Sequence, residues 1–223
     1  MQQYKSSNWR ILLPEKKDPY SNIELEEILF NDFLKKKSNF IFRFWKSTSC
    51  CVVGRHQYIP NEINIDYCRE NSIPIIRRIS GGGAIFLDMG CLNYSIIFNK
   101  KCKLYSENIL HSYKIIITKL IEALSIFNSD LCFIPPNSIF LDNKKISGSA
   151  QYRRGNSVLH HGTLLLNSDL EILKKSLTPD KPSVNKRSVK SNVVDVTNLF
   201  DYINTVSEND IIHSILDLFM SIG

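Results

Sequence analysis

No stretch of the 223 residues approaches a membrane span, and residues 1–10 carry neither an apolar run for secretion nor the Arg-rich amphipathic look of an organelle presequence. A cytoplasmic protein is therefore expected, with no membrane partner. The six cysteines, Cys50, Cys51, Cys68, Cys91, Cys102 and Cys132, form neither a paired framework nor a C-x-x-C pattern. Reduced thiols fit this better than disulfides or a cysteine-held metal. No basic block is dense enough to argue for nucleic acid. Twenty-eight Lys and Arg against 22 Asp and Glu leave +6, which suits an anionic nucleotide or an acidic partner protein. The nearest approach to a basic cluster, Lys186, Arg187 and Lys190, reads as a solvated loop. Internal repeats and low-complexity tracts are also missing. With 43% hydrophobic residues, the length points to one globular domain over 1–223.

What is present is a succession of short elements. Ser21 followed by Glu24 resembles a capping box, and Leu25, Ile28, Leu29 and Phe33 recur at helical spacing before the basic residues Lys35 to Lys37. Residues 40–45 and 50–53 read as strands, 63–70 as a helix, 73–79 as a strand, then three consecutive glycines and a further strand over 84–87. Residues 92–98 form another strand. A long helix beginning near Ser106 presents Ile109, Leu110, Tyr113, Ile117, Leu120 and Leu124 as one apolar face. After the break at Pro135-Pro136, strands over 138–141, 145–151 and 158–166 form a meander with a turn at 142–144. Helices over 169–176 and 207–220, joined by a polar proline-containing loop, complete the chain.

Three segments carry chemistry. In residues 77–84, Arg77-Arg78-Ile79-Ser80-Gly81-Gly82-Gly83-Ala84, the glycines permit a sharp turn and bring bare N–H groups against a ligand, while an arginine adds a forked cation for phosphate or carboxylate. The same glycines would equally serve a β-turn needing positive φ. The pattern is neither of the familiar nucleotide fingerprints, since it opens into a strand where those open into a helix. Lys144-Lys145-Ile146-Ser147-Gly148-Ser149 pairs lysine with small residues that leave room for a ligand, although a lysine beginning a strand is ordinarily an edge charge. His160 and His161 sit within an apolar strand, where alternation turns one inward and the other outward. With no carboxylate or cysteine at ligand spacing, no metal site of the protein's own is expected.

Taken together, RRISGGGAIFLDMGCLNYS (77–95), KKISGSAQ (144–151), LHHGTLLLNSDL (159–170), SVKSNVVDVTNL (188–199) and FRFWKSTSCCVVGRHQ (42–57) resemble the ordered motifs of lipoate-protein ligases, over nearly the whole chain. The resemblance implies an α+β fold of the biotin/lipoate protein ligase catalytic type, a mixed and largely antiparallel sheet flanked by helices. It implies that lipoate and Mg-ATP form lipoyl-adenylate, which the ε-amine of a lysine on a lipoyl-domain or H-type acceptor protein then attacks. ATP, Mg2+ arriving with the nucleotide, and lipoate as substrate are the ligands implied. Lys145 would be catalytic, stabilising charge in both half-reactions. Arg78, the backbone of Gly83, Ala84, Ile85 and Phe86, Lys145, and His161 with Gly162 and Thr163 would hold the adenylate. Arg78, Ser80, Gly82, Gly83, Asn93 and Lys145 would hold lipoate, with apolar residues near Trp45 and Val53 receiving its tail.

Two departures from the family pattern stand out. Leu87 occupies the place where a histidine usually precedes Asp88-x-Gly90. Single-chain ligases also carry a C-terminal accessory domain that covers the adenylate, for which this sequence leaves no room, so a separate small accessory subunit is expected to supply it. One rival is an ATP-independent octanoyl- or lipoyl-transferase with Cys132 as nucleophile, against which Cys132 reads as a buried thiol. The other is a non-catalytic binder of lipoylated proteins.

Overall fold

The computed structural model describes residues 3–5, 8–14, 17–36, 39–178, 191 and 194–222. In chain order the elements are β1 (Gln3–Lys5), β2 (Trp9–Leu12), α1 (Pro19–Lys36), β3 (Phe40–Trp45), β4 (Cys50–Val53), α2 (Ile65–Glu70), β5 (Ile75–Arg77), β6 (Ile85–Leu87), β7 (Cys91–Asn99) and α3 (Ile109–Leu124). They continue with β8 (Cys132–Ile134), β9 (Ser138–Leu141), β10 (Lys144–Arg154), β11 (Ser157–Leu165), α4 (Leu170–Ser176) and α5 (Glu208–Met220). Among the described residues no helix is long and apolar enough to cross a membrane.

An eight-stranded sheet in the order β1-β2-β3-β7-β11-β10-β9-β8 forms the frame, antiparallel except for the parallel pairing of β2 with β3. Its central strands β7 and β11 are buried nearly end to end, because both faces are covered. On one face Phe42, Phe44, Ile96, Val158 and Leu164 pack against α3 and α5. The other face packs against α1 through Ile41, Ile97 and Leu159. Alongside α1 lies a three-stranded sheet, β5-β4-β6, joined to the main one through Trp45, Val52, Leu87 and Leu165. The mixed sheet flanked by helices is the α+β arrangement expected.

Several local expectations change. Helix α1 starts two residues before Ser21: Asp18 caps it by accepting from the Ser21 N–H at 2.7 Å, with Pro19 in the first turn. Its buried face is Asn22, Glu26, Leu29, Phe30 and Phe33, while Ile28 is exposed. Ile109 and Leu110 likewise lie in solvent at the start of α3, whose cap is Asn108 rather than Ser106. Strands β5 and β6 do not pair across the glycines; each flanks β4, parallel and antiparallel respectively. Strands β1 and β2 extend the sheet at one end and β8 at the other, from short segments whose pattern did not reveal them. The basic cluster Lys186, Arg187 and Lys190 lies outside the described residues.

The Asp88-x-Gly90 turn ties the two sheets together. Asp88 accepts from the N–H of Gly90 at 2.9 Å and of Asp169, the cap of α4, at 2.7 Å. The Gly90 carbonyl accepts from Leu166 and Asn167. A Cβ on Gly90 would fall 1.9 Å from the Asn167 carbonyl oxygen, a backbone contact that no rotamer relieves. Gly90→Ala is therefore expected to lower unfolding stability by about 1–3 kcal/mol, measured by urea denaturation; an unchanged midpoint would show that the turn yields freely.

Candidate active site

Between the main sheet, the small sheet and α1 lies a cleft of about 290 Å³. The polarity of its lining is uneven. Ile23, Trp45, Val52, Ile85 and Leu87 line one part, and Arg78, Lys145 and His161 are the titratable groups that line it; no carboxylate does so among the described residues. A cationic cleft with an apolar wall suits an anionic head group joined to an apolar tail.

Lys145 reaches this position through the geometry of its strand. The β9–β10 turn runs through Asp142 and Asn143 at positive φ, the backbone of a tight hairpin. A register shift then leaves Ile146 as an extra residue between Lys145 and Ser147, and such bulges re-aim a side chain. The Lys145 N–H donates to the Asp195 carbonyl at 2.8 Å, and its own carbonyl accepts from Thr197 at 3.1 Å. Its side chain lies over Gly148, where a Cβ would sit 2.9 Å from Nζ. Burial holds the ammonium below its ordinary pKa, and no carboxylate among the described residues pairs with it. The serine-and-glycine run after the lysine is thus spatial clearance for its own side chain.

Arg78 is buried and already engaged. Its Nε donates to Ser80 Oγ at 3.0 Å, Nη1 to the Val52 carbonyl at 3.3 Å, and Nη2 to the carbonyls of Gly81 at 2.7 Å and Gly83 at 2.8 Å. Burial pushes its pKa down to about 10, with Glu26 opposing, so it stays charged at neutral pH. Arg78 lines the cleft as expected, and in addition much of its fork holds the glycine loop. With the Gly81 and Gly83 carbonyls drawn toward Arg78, Gly82 adopts φ +89°, and the N–H groups of Gly82 and Gly83 donate to nothing among the described residues. Ala84 N–H donates to Ser191 Oγ at 2.8 Å.

Strand alternation sorts the rest. Ile85 and Leu87 face the cleft, whereas Phe86 points away into the cluster of Cys51, Ile63 and Ile73, and its backbone pairs with Cys51. Asn93 lines the cleft with its amide donating to the Trp45 carbonyl at 3.2 Å. Thr163 and Gly162 line it too, yet the glycine is required on the opposite face, where a Cβ would lie 2.3 Å from the Tyr94 hydroxyl.

Neither histidine turns outward to solvent, because both sheet faces are covered. His160 is sealed against Tyr94 and Tyr113; burial, then the charges of His161 and Arg153, push its pKa down to about 3. It is neutral, accepting from Gln151 at 3.0 Å. His161 faces the cleft, its Nδ1 2.6 Å from Glu26 and its Nε2 2.6 Å from Ser80 Oγ. Ser80, expected beside the ligand, is fully buried behind the loop. Glu26 is the residue that sequence reasoning missed; its spacing from Asn22, Phe30 and Phe33 was the available signal.

Cys132 is exposed on edge strand β8, not buried, and does not line the cleft. Among the described residues no group of three or more His, Cys, Asp or Glu could hold a metal.

The fold is an α+β domain whose cleft joins cationic groups to an apolar wall. The chain belongs to the lipoyl protein ligase A/B catalytic domain family, whose model matches residues 18–220. It is similar to a probable lipoate-protein ligase A of Mycoplasma pneumoniae, 32% identical over 94% of this chain but only 60% of that protein. In fold it is similar to a bi-partite lipoate protein ligase of Thermoplasma acidophilum (TM-score 0.81, 22% identity, 98% of this chain and 84% of that one). A lipoate-protein ligase A bound with ATP has a TM-score of 0.79 at 24% identity, covering 95% of this chain and 83% of that one.

The buried carboxylate makes stability depend on pH. Burial alone pushes the Glu26 carboxyl up, but the charge and hydrogen bond of His161, then Ser95 and Arg43, outweigh it and hold the pKa below its ordinary 4.5. A lowered carboxyl pKa stabilises the fold above the unfolded value, and that contribution is lost as pH falls through the folded one. Glu26→Gln is expected to be less stable than the wild type by about 1 kcal/mol at pH 7, with the gap closing below pH 4.5 in denaturant titrations. A gap constant with pH would rule out an ionised Glu26.

Proposed function

We propose that the chain is the catalytic part of a cytoplasmic lipoate-protein ligase, and that Lys145 carries its chemistry. The observation that supports this most is an ammonium that, among the described residues, has no carboxylate partner and lines a cleft without carboxylates, beside glycine N–H groups that donate to none of those residues and an apolar wall. The lipoate carboxylate attacks the α-phosphorus of ATP, the α–β bond breaks, and lipoyl-adenylate and pyrophosphate form. The neutral ε-amine of the acceptor lysine on a lipoyl-domain or H-type protein then attacks the carbonyl carbon, an amide forms, AMP leaves and the amine's proton passes to solvent. Lys145 pairs first with the carboxylate and then with the oxygens on which charge develops, working by position and field. The Gly82 and Gly83 N–H groups, with Gly162 and Thr163 across the cleft, face the adenylate, while Trp45, Val52 and Leu87 enclose the dithiolane and its chain. With no carboxylate among the described residues lining the cleft, Mg2+ would come with the nucleotide substrate and supply charge neutralisation of its phosphates.

We further propose that a separate small accessory subunit shares the activation step. The fold likeness to the archaeal chain described as bi-partite supports this, extending over 84% of that chain. A thioester route through Cys132 has no comparable support, given its place outside the cleft, and a binder without activity leaves the bare ammonium unused.

Incubation of the pure chain with an acceptor domain tests the reading by mass spectrometry. Transfer from preformed lipoyl-adenylate is expected from the chain alone, and lipoate-dependent exchange between pyrophosphate and ATP only once the accessory subunit is added. Lys145→Ala is expected to slow transfer by about 100-fold or more; Cys132→Ser should leave it intact. The ammonium is the productive form, so adenylate affinity falls as pH rises through the lowered Lys145 pKa, and Lys145→Arg removes that alkaline loss. Full transfer by Lys145→Ala would overturn the proposal.

A further inference from the structure

On the cleft side of the sheet a chain of polar side chains runs beneath the glycine loop, and the reaction proposed above makes no use of its far end. Glu26 is 2% exposed and does not line the cleft, so it touches no ligand there. Its Oε2 meets His161 Nδ1 at 2.6 Å; His161 Nε2 meets Ser80 Oγ at 2.6 Å; and Ser80 Oγ accepts from Arg78 Nε at 3.0 Å. Arg78 in turn holds the Gly81 and Gly83 carbonyls. The other Glu26 oxygen accepts from Ser95, which accepts from Trp45 Nε1 at 3.2 Å. One carboxylate on α1 is thereby joined to both sides of the cleft: the loop with free N–H groups and the tryptophan of the apolar wall.

We infer that Glu26 is a positioning residue, which through His161 and Ser80 fixes the glycine loop in the form that presents the Gly82 and Gly83 N–H groups to the cleft. The reason lies in the loop itself. Three consecutive glycines have wide backbone freedom, and Gly82 is held at φ +89°. Gly81 and Gly82 each have space around the point where a Cβ would project, apart from Arg78 and Ala150 near Gly82. The backbone at Gly54 and the side chain of Ser191 lie against the loop, but they make no hydrogen bond to the Gly81 and Gly83 carbonyls. The Arg78 guanidinium does, and its Nε is aimed by Ser80. Ser80 is aimed by an imidazole that cannot turn while Nδ1 is engaged with the carboxylate.

The catalytic consequence rests on the ligase reading; the structural one does not, and the test separates them. Backbone 15N order parameters of Gly81–Gly83 in the ligand-free full chain would be measured alongside kcat/KM for transfer from lipoyl-adenylate. Glu26→Leu, which fits the neighbouring Leu29 and Phe30, and Ser80→Ala each break the chain at one end. Both are expected to lower the loop order parameters from about 0.85 to below about 0.6 and kcat/KM by about 10- to 100-fold. The double variant should be no worse than the worse single one, since both cut the same chain. Glu26→Gln, which still accepts from His161, should restore most of the loop order. If Glu26→Leu does not fold, Ser80→Ala decides alone. A loop that stays rigid in a folded Ser80→Ala chain, or losses that multiply in the double variant, would overturn the inference. A loosened loop with no transfer activity in the wild type would leave the inference standing and remove the ligase reading.

Discussion

An ionised carboxylate under a helix, cut off from water, destabilises a fold by several kcal/mol unless it is paired and every lone pair is used. Glu26 meets that constraint with His161, Ser95 and the nearby charge of Arg43, and the arrangement around the cleft is largely determined by how it does so. Arg43 is itself buried, its pKa pushed by burial down to about 10 and supported by Glu26, and it is tied to Asn22 one turn earlier on α1. The helix therefore approaches the sheet through polar contacts at its start and through Leu29, Phe30 and Phe33 farther along. Packing sets the distance and the polar chain sets the rotation.

The same sheet shows why two adjacent histidines behave so differently. His160 meets tyrosine rings and α3, loses its ability to charge, and becomes a shaped filler with one accepted hydrogen bond. His161, one residue on, meets a carboxylate and a serine. Strand alternation supplies the difference, and only burial on both faces turns it into a division of labour between core and cleft.

Much of this was legible in the sequence. β3, β4 and β9 fall where β-branched and aromatic runs end at turns, and the lysine and glycine motifs converge on one cleft. What escaped had physical causes. Leu25 and Ile28 outweighed Glu26 in the helical pattern, because an apolar count treats a buried carboxylate as surface. A strand–glycine–strand pattern reads as a hairpin, whereas β4 intervenes between β5 and β6 by a pairing distant in sequence. The arginine before the glycines reads as a cation for a ligand, and the carbonyls that it also holds are invisible to a residue pattern. Cys132 reads as buried beside prolines because the edge strand that exposes it has only three residues.

The glycine loop reconciles the two readings its sequence left open. Its glycines do serve a turn at positive φ, and Arg78 does serve as a fork, but the fork binds the turn. A preorganised donor site needs its N–H groups aimed before the ligand arrives, and the hydrogen bond from Arg78 to the Gly81 carbonyl does this for the Gly82 N–H at the other end of the same peptide without occupying it. Lys145 completes the division: it is a cation kept partly dry over Gly148, with no carboxylate paired to it among the described residues. A charge held that way destabilises the fold slightly, the kind of local violation that proteins retain at functional sites. The glycine loop offers donors fixed in the backbone and the strand bulge offers an ammonium with three rotatable donors, two different ways of presenting positive charge to one cleft.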